Sequence, residues 1–349
     1  MGEIVTVGRK EIGRGRPVFI VVELGVCHEQ NVDLAKKFIR CAREAGADAV
    51  KVESFQTDDF AFDFDLTHTY GVLGGERTEN YYNMLKRLEL SYDDYQELKR
   101  TADEEGILFF STVHNTKNAD IMQRMGVCAF KIASSDVTNL PLIRDLAVRG
   151  LPVFMDTGGA YLGEIERAVR EFESRGFCDL VLMHNPTGYP APLEKTDLRM
   201  IPALANTLGM PVGLSCHTPG FDIVVAAVAL GASVVEKPIS RNQALPSPEH
   251  VFSFLDSETE TFVTKIRSTE IALGEVRRRV TPDTAYARKT RRGTYAARNL
   301  ATGETLTAEH VVLGRPLKGV PVELADAVFG RRLKRAKNKL EPIGWEDLA

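Results

Sequence analysis

One unit recurs along most of the chain: a short apolar run, often β-branched, followed by a stretch whose apolar positions return with helical spacing. The runs are "VFIVVELG" (18–25), "DAVKVES" (48–54), "ILFFST" (107–112), "CAFKIAS" (128–134), "PVFMDTG" (152–158), "DLVLMHN" (179–185), "PVGLSCH" (211–217) and "ASVVEKP" (232–238). Between them lie segments such as "NVDLAKKFIRCAREAG" and "SYDDYQELKRTADEEG", several of which end in glycine, as helix C-termini often do. Near-continuous apolar strands alternating with helices predict a parallel sheet covered on both faces. Eight such units, with no GxGxxG after the first run, predict a closed (β/α)8 TIM barrel rather than an open doubly wound sheet. The lead-in "MGEIVTVGRKEIGRG" predicts a hairpin that plugs the bottom of the barrel.

The texture changes after about residue 276. "GEVRRRVTPDTAYARKTRRG" is charged and linker-like, and the remainder reads as short strands, tight turns and a little helix. The expected organisation is a barrel over 1–275, a linker over 276–290 and a small β-rich domain over 291–349. A length of 349 residues suits a barrel of about 250 plus such a module. The formal net charge of −4 argues against a nucleic-acid partner, and the one basic run, "GRRLKRAKNKL", reads as a solvated face. No window approaches 18 uninterrupted apolar residues, and Cys27, Cys41, Cys128, Cys178 and Cys216 are scattered, with no CxxC pair. These features predict a soluble cytoplasmic protein with reduced thiols and no membrane partner.

In a TIM barrel the C-terminal strand ends face the active site. Here they carry Glu23; Lys51 and Glu53; Ser111 and Thr112; Lys131, Ser134 and Ser135; Asp156 and Thr157; His184 and Asn185; Ser215 and His217; Glu236 and Lys237. Two ammonium groups and short hydroxyl donors, Lys51 and Lys131 with Thr112, Ser134 and Ser215, read as a clamp for a phosphate or a phosphate-plus-carboxylate anion. The competing arrangement pairs each lysine with a neighbouring acid. Glu23 is a candidate general base or hydroxyl anchor, and His217 a candidate metal ligand or acid. The eighth run meets Pro238, which is expected to end the strand, and "ISRNQALPSPEH" is expected to loop above the site.

The segments "VVELGVCHEQNVDLAKKFIRCAREAGADAVKVES", "AFKIASSDVTNLPLI", "HNPTGYPAP" and "PVGLSCHTPGFDIVVAAVALGASVVEK" resemble the sialic acid synthase family of phosphoenolpyruvate-dependent nonulosonic acid synthases. The tail "RRGTYAARNLATGETLTAEHVVLGRP" resembles that family's C-terminal SAF (antifreeze-like) domain. The resemblance implies condensation of phosphoenolpyruvate with an N-acylhexosamine-like aldose, giving a 2-keto sugar acid and phosphate. It also implies a divalent metal, Mn2+ or Mg2+, that polarises the aldehyde. By motif, Lys51, Thr112, Lys131, Ser134 and Ser215 fall on phosphoenolpyruvate-binding positions, and Glu23 and Tyr189 near the reacting carbonyl and sugar. Glu53, Asp156, Thr187 and Glu249 are further substrate-binding candidates. Arg315 matches an arginine that reaches a partner's site, implying a domain-swapped homodimer.

The chain departs from the family pattern mainly around its eighth strand. Pro238 replaces the second metal-binding histidine, so His217 is left as the one expected imidazole ligand. Asn242 and Gln243 replace an Asp-Arg pair, Ser247-Pro248-Glu249 a Gly-Pro-Asp, Cys216 an aspartate, Glu53 a glutamine or similar neutral residue, and Asp156 a phosphate-side serine. "RPLKG" replaces a glycine-containing turn after the arginine. Two outcomes follow for the metal: it is dispensed with, or it is rebuilt from His217 with Cys216, His184 or Glu249. Two further readings remain for the activity. The same scaffold is redirected to a lyase, isomerase or hydrolase reaction on an anionic metabolite, or the protein binds without reacting.

Overall fold

Because every barrel strand is paired on both sides, the sheet closes on itself and leaves no edge. This is so in the computed structural model of the protein, which describes residues 2–274, 286 and 289–349. The chain divides into two units, Met1–Gly274 and Glu275–Ala349.

The first unit opens with an antiparallel hairpin of β1 (Ile4–Val7) and β2 (Lys10–Gly13). Strands β3 (Phe19–Gly25) and β4 (Ala49–Glu53) begin the barrel, with helix α1 (Val32–Glu44) between them. A second hairpin, β5 (Thr67–Val72) and β6 (Gly75–Asn80), is inserted after β4 and leads into α2 (Tyr81–Leu88) and α3 (Tyr92–Glu105). The barrel continues through β7 (Leu108–Thr112), β8 (Phe130–Ile132), β9 (Val153–Asp156), β10 (Leu180–His184), β11 (Val212–Ser215) and β12 (Val234–Ser240). Helices α4 (Thr116–Met125), α5 (Leu140–Leu146), α6 (Leu162–Glu173), α7 (Met200–Leu208) and α8 (Asp222–Ala229) join them. The pairings are parallel throughout, and β12 closes the ring against β3. The short β13 (Phe254–Leu255) extends the end of β12 and leads into α9 (Thr259–Leu273).

Local signals set many of the helix ends. Asn31, Asn80, Ser91, Asn115 and Asn139 cap α1 to α5 by accepting from a backbone N–H in the first turn, and glycines at 106, 126 and 209 end helices in left-handed conformation.

The pleat divides each strand into an outer set that meets the helices and an inner set that fills the barrel. Ile20, Val22 and Leu24 of β3 and Val50 and Val52 of β4 belong to the core under the helices. The inner set begins apolar: Phe19, Val21, Ala49, Phe110, Phe154, Val181, Met183 and Val234 pack with Val5, Val7 and Ile12 of the hairpin. The expected plug is therefore present, with all three hairpin side chains fully buried. Further along each strand the inner set turns polar, and that upper storey is the site described below.

Pro238 does not end the eighth strand, contrary to expectation; β12 runs on to Ser240, with Pro238 in register with Glu23. The reason lies in the ladder geometry. Residues of a parallel strand bond alternately to the two neighbours. The Glu236 carbonyl accepts from Cys216 N–H, so Pro238 turns to the same side, beyond Ser215, where β11 has already ended. The missing N–H costs no ladder bond there.

In the second unit β14 (Gly293–Ala296) and β15 (Val311–Gly314) pair antiparallel above a small core that includes Leu300, Leu306, Val328 and Ile343. Much of the expected linker, 276–290, lies outside the described residues.

Phe154 stacks on Phe110 at 4.9 Å and on Phe19 at 6.1 Å in the lower storey of the barrel. Truncating it to alanine should cost about 3–5 kcal/mol of unfolding free energy, read by denaturant titration.

Candidate active site

Glu236 is the centre of the polar storey. It is 1% exposed, and its Oε1 accepts from Lys51 Nζ at 2.9 Å and from Lys131 Nζ at 2.5 Å. Lys51 also pairs with Glu23, and Lys131 with Asp156 at 3.0 Å and Ser215 Oγ at 3.3 Å. Buried ions this close must be paired, because an isolated charge would lose its hydration without return. Burial would raise the Glu236 carboxyl, but the two ammonium groups pull it down to about 2. Glu23 is different: burial, with Glu236 nearby, outweighs Lys51 and lifts its carboxyl to about 7. Burial likewise lifts Asp156 to about 6 against the pull of Lys131. Both lysines are thus already engaged by acids, and two of those acids titrate near neutral pH.

These groups form the floor of a cavity of about 740 Å³. Six acidic side chains border it (Glu23, Glu53, Asp136, Asp156, Glu236 and Glu249) against two lysines and no arginine among the described residues. Several buried polar atoms on its wall have no partner: Ser134 Oγ, Asp156 Oδ1, Glu236 Oε2 and His217 Nδ1. Unpaired buried polar groups are rare in folded proteins, and their gathering in one cavity marks it as a place for a polar ligand.

Two devices shape the upper wall. His114, in the turn after β7, stands between Glu53 and Asp136, with Nε2 at 3.1 Å from Glu53 Oε1 and Nδ1 at 3.1 Å from Asp136 Oδ2. Burial would lower the imidazole, but the two carboxylates hold it up at about 9; in return His114 keeps Glu53 down at about 2. Opposite, Glu249 tucks under the bulge at the end of β3, where its Oε2 accepts from Val26 N–H at 2.9 Å. Gly25 makes that approach possible: its φ is +47°, and a Cβ there would meet Glu249 Oε2 at 2.0 Å. Burial, with Glu23 and Glu53 close by, pushes the Glu249 carboxyl well above its usual range. Tyr189 lies over His217 at 5.0 Å, and Phe252 closes the stack at 5.0 Å from the same imidazole. Burial, then the Lys131 charge, lowers His217 to about 3, so the ring is neutral.

The catalytic and substrate-binding candidates expected on the barrel, from Glu23 through Thr112, Thr187 and Ser215 to Glu249, border this cavity, whereas the candidate metal ligands Cys216 and His184 do not. Arg315 lies exposed just after β15 in the second unit. Four residues from the polar strand ends face outward instead, because the pleat puts them out of phase with Glu236. Ser111 bonds Ser54, His184 bonds the Thr196 carbonyl at 2.7 Å, Cys216 joins the outer core, and Lys237 donates to the Thr218 carbonyl at 2.5 Å. A metal site rebuilt from His217 with Cys216 or His184 is therefore not what the fold assembles. The loop beyond β12 uses most of its polar groups on itself: Asn242 N–H donates to Ser240, Gln243 donates to the Ser253 carbonyl, and His250 meets Ser240 Oγ at 2.6 Å. Its contribution to the cavity is Pro248 and Glu249.

The group of metal-ligand type found among the described residues is Glu23, Glu53 and Glu249, each with one carboxylate oxygen within 4.8 Å of the others. An all-oxygen donor set of this kind suits a hard divalent ion such as Mg2+ or Mn2+. His114 and Asp136 were absent from the sequence-based candidates. No short-range pattern links positions 53, 114 and 136. The central role of Glu236, in contrast, was accessible from its place two residues after inward-facing Val234.

Known proteins resemble the chain over most of its length. Residues 38–278 match the model of the NeuB family, and residues 291–349 that of the SAF domain. An uncharacterised protein of Methanocaldococcus jannaschii is 35% identical over 99% of both chains. The N,N'-diacetyllegionaminic acid synthase of Legionella pneumophila is 33% identical over 98% of this chain and 97% of its own. A crystal structure of the N-acetylneuraminic acid synthetase of Leptospira borgpetersenii, in complex with citrate, superposes with a TM-score of 0.73 at 28% identity, over 82% of this chain and 95% of that one.

The His114 bridge should leave a pH signature in stability. Its folded-state value of about 9 lies above the 6.5 of an unfolded histidine, so its stabilisation is complete below pH 6.5 and is lost as the pH rises through 9. The unfolding free energy of the wild type should fall by up to about 3 kcal/mol across that window. In His114→Phe this fall should be missing, as measured by denaturant titration at pH 6 and pH 9.5.

Proposed function

The chain belongs to the NeuB family and ends in a SAF domain, and from that premise we propose that it condenses phosphoenolpyruvate with an N-acylhexosamine-like aldose. In this reaction C3 of phosphoenolpyruvate bonds to the aldehyde carbon, the oxygen of a water ends on C2, and phosphate leaves. The observation that carries the reading is the pair of buried lysines at the cavity floor, with Ser215 Oγ 3.3 Å from Lys131 and with Thr112 and Ser134 lining the same cavity.

An incoming phosphate or carboxylate competes with Glu23, Glu236 and Asp156 for those lysines. The competition is moderate because Glu23 and Asp156 titrate near 7 and 6 and can take up a proton as the anion arrives. Where no divalent ion is held, a protonated Glu23 beside Lys51 is placed to give a proton to the oxygen of the attacked aldehyde. Neutral His217, with its partnerless Nδ1, and the Tyr189 ring above it offer the sugar a hydrogen bond and a flat surface. Glu23, Glu53 and Glu249 would hold the divalent ion, which when bound supplies polarisation of the aldehyde.

The proposal includes a cytoplasmic homodimer in which the exposed Arg315 serves the cavity of a second copy. Among the described residues, no helix is long and apolar enough to cross a membrane.

Incubation with phosphoenolpyruvate and a series of N-acylhexosamines, with and without Mn2+, should release phosphate. Lys51→Ala and Lys131→Ala should each lower the rate by at least about 100-fold. Absence of release from every aldose under every metal condition overturns the reading. Asp156 gives a second check. Its charge opposes a bound phosphate above pH 6 and disappears below it. Asp156→Ser should therefore tighten phosphoenolpyruvate binding about 10-fold at pH 8 and change it little at pH 5, as read by ligand-induced Tm shifts.

A further inference from the structure

The His114 bridge is well built for a feature that touches no reacting group of the floor. Both ring nitrogens are committed, to Glu53 and to Asp136. Asp136 is itself held, its Oδ1 accepting from Asn139 Nδ2 at 2.9 Å. Phe60 stacks on the imidazole at 5.1 Å with an interplanar angle of 16°. The His114 side chain is 11% exposed, whereas that of Glu53 is 28% exposed and opens to the cavity. With no free N–H, His114 has nothing to give a substrate. Its consequence is the orientation of the carboxylate it grips.

That carboxylate stands near Glu23 of the floor and Glu249 of the upper wall, one oxygen of each lying within 4.8 Å of the others. The cavity's lysines are engaged below by Glu23, Glu236 and Asp156, and no arginine borders it among the described residues. The upper half thus presents the Glu53 carboxylate as an acceptor and no unengaged cation among the described residues. Such a surface favours hydroxyl and amide N–H groups and repels an anion.

We propose that the Asp136–His114–Glu53 bridge selects the acceptor: His114 is a positioning residue that fixes the Glu53 carboxylate toward the cavity, and Glu53 so fixed admits an aldose bearing neutral hydrogen-bond donors and turns away one bearing a phosphate. This rests on the condensation reading for the identity of the reaction, though not for the selection itself.

The test compares N-acetylmannosamine with its 6-phosphate, each with phosphoenolpyruvate, on wild type, Glu53→Gln, His114→Phe and His114→Gln. In the wild type, kcat/KM for the neutral sugar should exceed that for the phosphate by at least about 100-fold. Glu53→Gln and His114→Phe should each narrow that ratio about 10-fold, chiefly through the KM of the sugar, while the KM for phosphoenolpyruvate stays within about threefold. His114→Gln, which keeps a donor for Glu53, should recover part of the loss. A wild type that uses the phosphate as well as the neutral sugar overturns the proposal. So does a His114→Phe variant that raises both KM values alike, the mark of a merely structural role. If neither sugar turns over, the condensation reading fails by itself, and selection is read from Tm shifts in the presence of phosphoenolpyruvate. A shift with the neutral sugar alone upholds selection; a shift with the phosphate, or with neither, overturns it.

Discussion

The structure turns on one carboxylate, Glu236, held between two lysines inside the barrel. A barrel of this size is filled by side chains, so any charge placed in it leaves water and must find its partner within a few ångströms. Lys51 and Lys131 come from different strands on one side of the ring and Glu236 from the closing strand, so the ion cluster ties the sheet's ends together where the hairpin's apolar plug no longer reaches. Removing one member would leave the others unpaired, which in such clusters costs on the order of 3–5 kcal/mol. The same cluster makes the floor of the cavity sensitive to protons.

The two storeys of the barrel are a division of labour. Below, aromatic and branched side chains around Phe110 and Phe154 hold the strands together. Above, acids outnumber lysines, and the balance is met by protons on Glu23, Asp156 and Glu249 and by the charged His114. An acid-rich wall over a lysine floor gives the two halves of one cavity opposite chemical character. Two of the departures read in the sequence, Glu53 and Asp156, add acids to this wall, while Glu249 keeps the charge of an aspartate and Pro238 stands where an imidazole was expected. The ligand-type groups accordingly gather as carboxylates.

Much of this was legible along the chain. Eight apolar runs separated by helical spacing specify a closed parallel barrel, and polar residues at their C-terminal ends mark where chemistry is placed. What was less legible was which of two adjacent polar residues faces inward. Glu236 and Lys237 are neighbours of opposite phase, as are Ser215 and Cys216, and one-residue parity separates the floor of the cavity from a packed exterior. Counting back to the apolar inner residue of each strand would have settled those cases. Pro238 was misread for a different reason: a proline is excluded from a ladder only where its N–H has a partner to lose, and that depends on where the neighbouring strand stops.

The sequence by itself determined the order of the barrel strands, the family and most of the polar residues at the barrel mouth, because these follow from local periodicity and contiguous motifs. The tertiary structure alone decided how those residues pair. The Glu53–His114–Asp136 bridge and the gathering of Glu23, Glu53 and Glu249 join positions far apart in the chain. Which acid keeps its proton depends on distances and burial that exist only once the ring has closed, so no linear pattern encodes them.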